Sequence, residues 1–330
     1  MEFVTLDGTD VELSRVALGT WAIGGWMWGG TDEKESIQTI HAALDKGVTT
    51  LDTAPVYGFG RSEEIVGKAI AQYPDKEKIR ISTKVALNWT EDGKVFRDSR
   101  PERIEKEVED SLSRLGVDVI DVYFVHWPDS KTPYEETAAT MCRLREQGKI
   151  RSVAVSNYSP KQMEAFGEAC PIHACQPPYN IFERGIEDDI LPYCLDSSIL
   201  LMTYGALCRG LLSGSMSRER EFTGDDLRKN DPKFQEPRFS QYLEAADKLK
   251  KLARERHDKD LLPFAVRWVL DQSNGVALWG GRRPDQMEPI PDVFGWSIDA
   301  DTMAEVDRIL RETVISPVGP EFMAPPERAG

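Results

Sequence analysis

Short apolar runs rich in β-branched residues alternate with longer amphipathic stretches along most of the chain. The short runs predict buried strands, and the longer stretches, whose apolar residues recur every three or four positions, predict helices. The predicted strands cover residues 15–18, 49–52, 79–84, 119–126, 152–156, 172–176, 199–204 and 276–279. The predicted helices cover residues 33–46, 62–71, 101–115, 133–147, 160–169, 186–196, 241–256, 262–271 and 300–313.

This succession of eight strand–helix units predicts one parallel sheet, and the number of units favours closure into a (β/α)8 TIM barrel. An open doubly wound sheet is the alternative. It normally carries a G-x-G-x-x-G turn after its first strand, and the Gly24-Gly25 and Gly29-Gly30 pairs do not form that motif. The whole chain, residues 1–330, is therefore predicted to be a single barrel domain.

Three segments depart from the repeating pattern. Residues 2–6 and 11–14 flank a turn sequence, Asp7-Gly8-Thr9-Asp10, and predict a short N-terminal β-hairpin. Residues 214–240 are polar and follow the seventh strand, so they predict a long loop that is either a mobile lid or a passive insertion. Residues 316–330 are rich in Pro and Gly and predict an irregular C-terminal tail.

Composition narrows the possible partners and the compartment. The formal net charge of −15 argues against nucleic acid or an anionic membrane surface as a partner. No stretch approaches the roughly 18 apolar residues that a membrane span needs, and the N-terminus lacks the features of a signal peptide, so a cytoplasmic protein is expected. The five Cys residues form no CxxC pair and are odd in number, which predicts thiols in a reducing compartment rather than a disulfide framework.

Candidate chemistry lies where three successive predicted strands end. Asp52, Lys84 and His126 close the second, third and fourth strands, and Tyr57 lies in the turn after Asp52. The carboxyl ends of barrel strands meet at one face, so these side chains should converge. We expect Asp52 to keep Lys84 charged, and the ammonium to lower the pKa of the phenol from about 10. Tyr57 could then protonate a carbonyl oxygen that His126 holds.

Each of these residues also has an ordinary structural explanation. A strand-end Asp often caps the next helix, a lone Lys is usually solvated, and a loop Tyr usually lies on a rim. The case for catalysis rests on their occurrence together at neighbouring strand ends.

With these residues in place, the sequence resembles the aldo-keto reductases over essentially its full length. The motifs that carry the resemblance are Gly19-Thr20-Trp21, Leu51-Asp52-Thr53-Ala54, Tyr57-Gly58, Ser82-Thr83-Lys84, Val125-His126-Trp127-Pro128, Ser156-Asn157, Gln176 and Tyr179-Asn180. The resemblance implies that Asp52, Tyr57, Lys84 and His126 form the catalytic tetrad. It also implies that Tyr57 is the general acid in reduction and the general base in oxidation. Hydride would come directly from a nicotinamide across the barrel mouth, without a metal.

The resemblance also implies a set of cofactor contacts. Ser156, Asn157 and Gln176 would hold the carboxamide, and Tyr204 would either stack on the nicotinamide or pack in the core. The run 205–214 looks like the pyrophosphate loop of the family, to which Arg209 would add positive charge. The remaining candidate contacts from these segments are Gly19, Thr20, Trp21, Asp52, Gly205, Leu207, Cys208 and Gly210.

The segment after the eighth strand bears on the choice of nucleotide. Gly280, Arg282, Arg283 and Gln286 lie just before a probable helix start, and two adjacent arginines with free backbone N–H groups suit a 2′-phosphate. NADP(H) is therefore favoured over NAD(H), although a solvated basic turn is the alternative. The chain has Glu288-Pro289-Ile290 where many relatives have Glu and Asn for adenine contact.

Aromatic residues near the strand ends predict the substrate pocket. The candidate substrate contacts are Trp21, Trp28, Tyr57, Trp89, His126 and Trp127. The Trp-rich segment 26–30 and the tail look closest to a bacterial branch of the family that includes stress-associated reductases. The tail could fold over the site or the cofactor.

The resulting expectation is NADPH-dependent reduction of aldehydes or ketones, with a small-molecule carbonyl compound as the partner. One alternative is an NADP(H)-sensing regulatory protein with slow turnover. Another is a metal-assisted barrel hydrolase, which four His residues with only His126 well placed make less favourable. The physiological substrate, the preferred direction and the oligomeric state, monomer included, stay open.

Overall fold

The computed structural model describes residues 1–329, and eight parallel strands in it close into a barrel, as predicted. Each strand pairs with its neighbours in chain order, and the eighth pairs with the first through Trp279 beside Leu18 and Gly280 beside Gly19. The strands are β1 (Val16–Gly19), β2 (Thr50–Asp52), β3 (Arg80–Val85), β4 (Ile120–Val125), β5 (Ile150–Ser156), β6 (Ala174–Gln176), β7 (Leu200–Thr203) and β8 (Val276–Gly280).

The helices around the barrel also follow the predicted pattern. The helix predicted at 186–196 begins only at Ile190, whose backbone N–H donates to the Asp189 side chain. The helices are α1 (Glu33–Asp45), α2 (Arg61–Gln72), α3 (Pro101–Leu115), α4 (Tyr134–Glu146), α5 (Pro160–Gly167), α6 (Ile190–Asp196), α7 (Arg238–His257), α8 (Leu261–Ser273) and α9 (Ala300–Thr313).

The predicted N-terminal hairpin is present and closes one end of the barrel. Its strands, Phe3–Thr5 and Glu12–Ser14, pair antiparallel. The apolar side chains of Leu6, Val11 and Leu13 are fully buried against barrel-interior residues that include Phe124 and Met202. The opposite end, where the strands terminate, carries the candidate site residues.

Two local elements were not predicted. A second hairpin, Leu87–Trp89 with Val95–Arg97, follows β3 and places Trp89 and Arg97 near the strand ends. Its turn contains Gly93 with φ of 79°, a backbone conformation that glycine adopts easily. A one-turn helix, Trp21–Gly24, follows β1. Both are too short to produce a periodic pattern in the sequence.

The long segment 214–240 packs against the loop at residues 26–30. The Asp225 carboxylate accepts hydrogen bonds from the backbone N–H groups of Met27 and Gly29, at 2.7 and 2.9 Å. The N–H of Leu227 donates to the Met27 carbonyl at 3.0 Å. The segment includes two 3₁₀ turns and buries Leu227 and Phe234, so it is packed against the protein and not extended into solvent.

The tail runs across the same end of the barrel. Near its start, the Lys233 ammonium donates to the Gly319 carbonyl at 3.0 Å. Near its end, Arg97 donates through its backbone N–H to the Pro326 carbonyl and through its side chain to the Pro325 carbonyl. One 3₁₀ turn, Glu321–Met323, interrupts the otherwise irregular backbone. Gly330, the last residue of the predicted tail, lies outside the described residues.

One pair of cysteines corrects the thiol expectation. Cys142 on α4 and Cys170 after α5 form a disulfide, while Cys175, Cys194 and Cys208 are buried and free. Spacing along the chain did not signal this pair, because 28 residues separate the two cysteines and only the packing of α4 against α5 brings them together. Across residues 1–329, none of the helices has both the length and the apolar content to cross a bilayer.

Candidate active site

A buried ion pair joins the ends of β2 and β3. The Lys84 ammonium donates to Asp52 Oδ1 at 2.6 Å and to the Thr53 carbonyl at 2.9 Å. Both side chains are 1% exposed. The other carboxylate oxygen, Oδ2, accepts from the Ser82 hydroxyl at 2.8 Å and from the Gln176 amide at 3.0 Å. The Asp52 carboxylate is therefore bonded on both oxygens.

Tyr57 lies directly against this pair. The Lys84 ammonium is 5.1 Å from the centroid of the Tyr57 ring. The His126 ring meets the Tyr57 ring edge-on at 5.8 Å between centroids, and Trp21 stacks on it at 5.8 Å. The four residues that the sequence singled out as a tetrad thus converge.

Close backbone contact with the one-turn helix shapes the Tyr57 loop. A Cβ at Gly24 would lie 2.5 Å from the Tyr57 carbonyl oxygen, and one at Gly58 would lie 2.3 Å from the Gly24 carbonyl oxygen. Gly58 also has φ of 70°. Side chains at these two positions would force the loop, and with it the phenol, away from the ion pair.

The electrostatics of Tyr57 differ from the expectation of a lowered pKa. Burial, followed by the charge of Asp52 and by Tyr204, raises the pKa of Tyr57 well above 10. The cation does not dominate, because Lys84 is paired with Asp52 and the phenol sees both charges. The phenol is therefore protonated at neutral pH, the state that a proton donor needs.

The pKa values of Lys84 and His126 are both lowered. Burial lowers the pKa of Lys84, although the charge of Asp52 and its hydrogen bond oppose the shift. Burial, followed by the charge of Lys84, lowers the pKa of His126 well below 6.5. The imidazole is therefore neutral at physiological pH and can hydrogen-bond without adding a second cation.

The candidate carboxamide residues form one hydrogen-bonded group next to the tetrad. The Asn157 amide donates to the His126 carbonyl at 2.9 Å, and the Tyr204 hydroxyl donates to Asn157 Oδ1 at 2.9 Å. The Ser156 hydroxyl donates to the Gln176 carbonyl at 2.8 Å. Tyr204 as a whole residue is only partly buried.

The loop after β7 uses its arginine internally. The Arg209 guanidinium is buried and pairs with Glu183 and Asp231, and Lys233 pairs with Glu183 at 2.7 Å. Its positive charge is matched by these two carboxylates, so it adds less local positive charge to the loop than expected. Cys208 is also buried, whereas Gly205, Leu207 and Gly210 are partly exposed.

The segment after β8 is arranged differently from the expectation as well. Gln286 Oε1 accepts from the backbone N–H groups of Arg282 and Arg283, at 2.8 and 3.1 Å, so these groups are not free. The Arg282 guanidinium donates to the Trp28 carbonyl at 2.6 Å. The exposed Arg283 side chain pairs, among the described residues, only with the exposed Asp285. A short 3₁₀ helix, Pro284–Met287, stands where a helix was predicted.

The aromatic residues proposed as substrate contacts form two groups. Trp28 meets Trp21 edge-on at 5.8 Å, and the indole N–H groups of both are buried with no hydrogen-bond partner in the described chain. Trp89 and Trp127 pack with Tyr57 around a small apolar cluster of Ala54, Val56 and Leu87. The Arg97 guanidinium lies 5.1 Å from the Trp127 ring. Sequence reasoning missed Arg97, because it lies on the hairpin that gave no periodic signal.

Comparison with known proteins adds the family. The model of the Aldo/keto reductase family matches residues 15–311. The chain belongs to this family. Aldo-keto reductases are oxidoreductases that use nicotinamide cofactors. The match contains every candidate catalytic and cofactor residue and leaves the N-terminal hairpin and the tail outside.

Individual relatives of this aldo-keto reductase are similar over most of their length. Aldo-keto reductase YhdN of Bacillus subtilis is 53% identical over 99% of both chains. The NADH-specific methylglyoxal reductase of Escherichia coli is 34% identical over 87% of this chain and 91% of its own. Among solved structures, the glycerol dehydrogenase AKR11B4 from Gluconobacter oxydans is 55% identical with a TM-score of 0.89, covering 98% of this chain and 99% of its own.

Proposed function

We propose that the chain reduces aldehydes and ketones to alcohols with NADPH and that Tyr57 donates the proton. The convergence at one end of the barrel carries this proposal. The Tyr57 ring lies 5.8 Å from the His126 ring and 5.1 Å from the Lys84 ammonium. A protonated phenol beside a neutral imidazole and a cation is suited to protonate a single carbonyl oxygen.

The roles of the four residues follow from their charge states. His126, being neutral, can donate a hydrogen bond to the carbonyl oxygen from one ring nitrogen. Tyr57 gives its proton to the same oxygen, and the cation of Lys84, which Asp52 holds, offsets the negative charge left on the phenolate. A reduced nicotinamide, when bound, would supply the hydride for the carbonyl carbon. In the reverse direction the phenolate of Tyr57 accepts the proton of the alcohol.

The residues at the ends of β5 to β7 fit the nicotinamide end of such a cofactor. Gln176 Oε1 has no hydrogen-bond partner among the described residues, and an amide oxygen can accept from a carboxamide. Ser156, Asn157 and Tyr204 complete this group. The backbone of Gly205, Leu207 and Gly210 can approach a pyrophosphate, and the adjoining candidates are Gly19, Thr20, Trp21 and Gly280.

The preference for NADPH depends on Arg283. It is exposed and, among residues 1–329, its side chain pairs only with Asp285, so its guanidinium is available to a 2′-phosphate. Arg282 would contribute mainly by fixing the Trp28 loop. One relative is named as NADH-specific, so the affinities for NADPH and NADH have to be measured separately from the rate of turnover.

Aromatic side chains with unpaired polar groups support a small carbonyl substrate. The indole N–H groups of Trp21 and Trp28 are buried without a hydrogen-bond partner among the described residues, a need that a polar ligand could meet, and the rings of Trp89 and Trp127 supply apolar walls. Relatives are named for methylglyoxal and glycerol, so these compounds belong in the test panel. We further propose that residues 1–330 act as one domain.

A steady-state assay with a panel of aldehydes and ketones, run with NADPH and with NADH, tests the proposal. We expect carbonyl-dependent oxidation of the reduced nucleotide, with a lower KM for NADPH. Tight NADPH binding with turnover far below one per second for every compound would instead indicate the regulatory, cofactor-sensing alternative.

A further inference from the structure

Two side chains outside the tetrad converge on one atom of it. Asp52 Oδ1 faces the Lys84 ammonium, and Oδ2 accepts from the Ser82 hydroxyl on β3 and from the Gln176 amide on β6. All four side chains are at most 2% exposed. The two donors reach Asp52 from different strands, because β3 is the neighbour of β2 in the barrel and β6 lies across the interior from it.

Such donors affect a buried carboxylate in two ways. They favour its ionised form, since hydrogen bonds to a charged group stabilise the charge. They also fix its rotation, because an oxygen that accepts two hydrogen bonds cannot turn without losing them. The direction of Oδ1, and hence the place of the Lys84 ammonium under the Tyr57 ring, depends on that rotation.

We propose that Ser82 and Gln176 are positioning residues that hold the Asp52 carboxylate and, through Lys84, set the proton transfer by Tyr57. This inference rests on the proposed function, since it concerns the same proton. It gives Gln176 a second role: its Nε2 donates to Asp52, while its Oε1 has no hydrogen-bond partner among the described residues and could accept from a carboxamide. One amide would therefore connect cofactor binding to the catalytic carboxylate.

Ser82→Ala removes one donor with little change in volume. At saturating NADPH we expect kcat to fall about tenfold, the usual order for one hydrogen bond to a charged group, with the acid limb of the kcat profile moved to higher pH. NADPH affinity, from fluorescence titration, should stay unchanged. Ser82→Thr keeps the hydroxyl and should restore most of kcat.

The matched control is Ser152→Ala. Ser152 is also a buried hydroxyl on a barrel strand, but it donates to the Asp121 carbonyl and not to the tetrad. Its loss should leave kcat and its pH profile as in the parent. If Ser82→Ala matches Ser152→Ala in both, or if Ser82→Thr fails to recover kcat, the positioning role of Ser82 is rejected.

Gln176→Glu separates the proposed contact with the cofactor from the hydrogen bond to Asp52, because Glu and Gln have nearly the same size and shape. A carboxylate still accepts from a carboxamide but no longer donates to Asp52, so the two acids repel once both are ionised. The neutral acid, present at lower pH, can still donate. We therefore expect kcat at saturating NADPH to decline as pH rises through the ionisation of Glu, a limb that the parent lacks. A role in cofactor contact alone predicts no such decline.

A spectroscopic measurement keeps the inference separate from the proposed function. In cofactor-free protein with ¹³C-labelled aspartate, the Asp52 carboxyl resonance is assigned by its loss in Asp52→Asn. At pH 7 we expect its chemical shift to differ between Ser82→Ala and the parent, because one of the two donors to Oδ2 is lost, and an unchanged chemical shift would overturn the inference. If the parent reduces no carbonyl compound, the proposed function fails, while this chemical shift still decides the role of Ser82.

Discussion

The Lys84 ammonium lies 5.1 Å from the centroid of the Tyr57 ring, yet it donates its hydrogen bonds to Asp52 and to the Thr53 carbonyl. The cation next to the phenol is therefore half of an ion pair. This explains why burial and Asp52 raise the pKa of Tyr57 in the cofactor-free protein. The group that is positioned to donate a proton holds that proton at neutral pH.

A first prediction concerns the ionisation of Tyr57. Because its pKa is raised well above 10, we expect no phenolate from Tyr57 below pH 10 in the cofactor-free protein. The measurement is the ultraviolet difference titration of the parent against Tyr57→Phe, which isolates this one residue. A phenolate signal with a midpoint near pH 8 would mean that Lys84 dominates the electrostatics after all.

A second prediction concerns the nucleotide. Arg283→Ala should weaken NADPH binding about tenfold or more and leave NADH binding nearly unchanged, because only the 2′-phosphate contact is lost. Arg282→Ala should weaken both nucleotides, since Arg282 also holds the Trp28 and Gly30 carbonyls. Fluorescence titrations with each nucleotide give the ratio, and Arg308→Ala, an exposed arginine on α9, serves as the control. Equal loss of both nucleotides in Arg283→Ala would argue against a 2′-phosphate site.

A third prediction concerns the tail. Deleting residues 316–330 should change the affinity for NADPH, because the tail contacts both the segment 214–240 through Lys233 and the second hairpin through Arg97. Arg328→Gln should release only its far end, where the guanidinium pairs with Asp129 at 2.9 Å and Asp98 at 3.3 Å. Titration of the deletion variant tests the claim, and an affinity equal to that of the parent would reject it.

The docking of the tail should also depend on pH. Burial opposes the ionisation of Asp98, but the hydrogen bond and charge of Arg100 lower the pKa of this carboxyl. Burial also opposes the ionisation of Asp129, but hydrogen bonds from backbone N–H groups and the charge of Arg328 lower its pKa. Their stabilising contribution is therefore complete above about pH 4, the ordinary value for Asp, and is lost as pH falls through the lower folded-state values. Hydrogen exchange at the backbone amide of Arg97, whose N–H donates to the Pro326 carbonyl of the tail, should accelerate below that pH in the parent. In Arg328→Gln it should already be fast at pH 7.

Much of the barrel could be predicted because apolar residues recur periodically in its strands and helices, and because turn and capping residues mark their ends. The tetrad could be predicted for the related reason that strand ends in a barrel converge wherever the strands are correctly placed. Local patterns do not specify distant partners, however. The pairing of Arg209 with Glu183 and Asp231, and the binding of Arg282 to the Trp28 carbonyl, both depend on loops that meet only after folding.

The two short elements and the disulfide escaped prediction for a similar reason. The hairpin at residues 87–97 has three residues in each strand, too few for an alternating pattern to stand out. Cys142 and Cys170 are brought together by the packing of α4 against α5, which spacing along the chain does not express.

The measurement that tests the account most directly is single-turnover reduction of an aldehyde by Tyr57→Phe at saturating NADPH. Removing the proton donor should lower the rate at least about a hundredfold and leave NADPH affinity unchanged. Tyr73→Phe, which removes an exposed hydroxyl bonded to Asp45, is the matched control and should react at the parent rate. Reduction by Tyr57→Phe at the parent rate would contradict the assignment of Tyr57 as the proton donor.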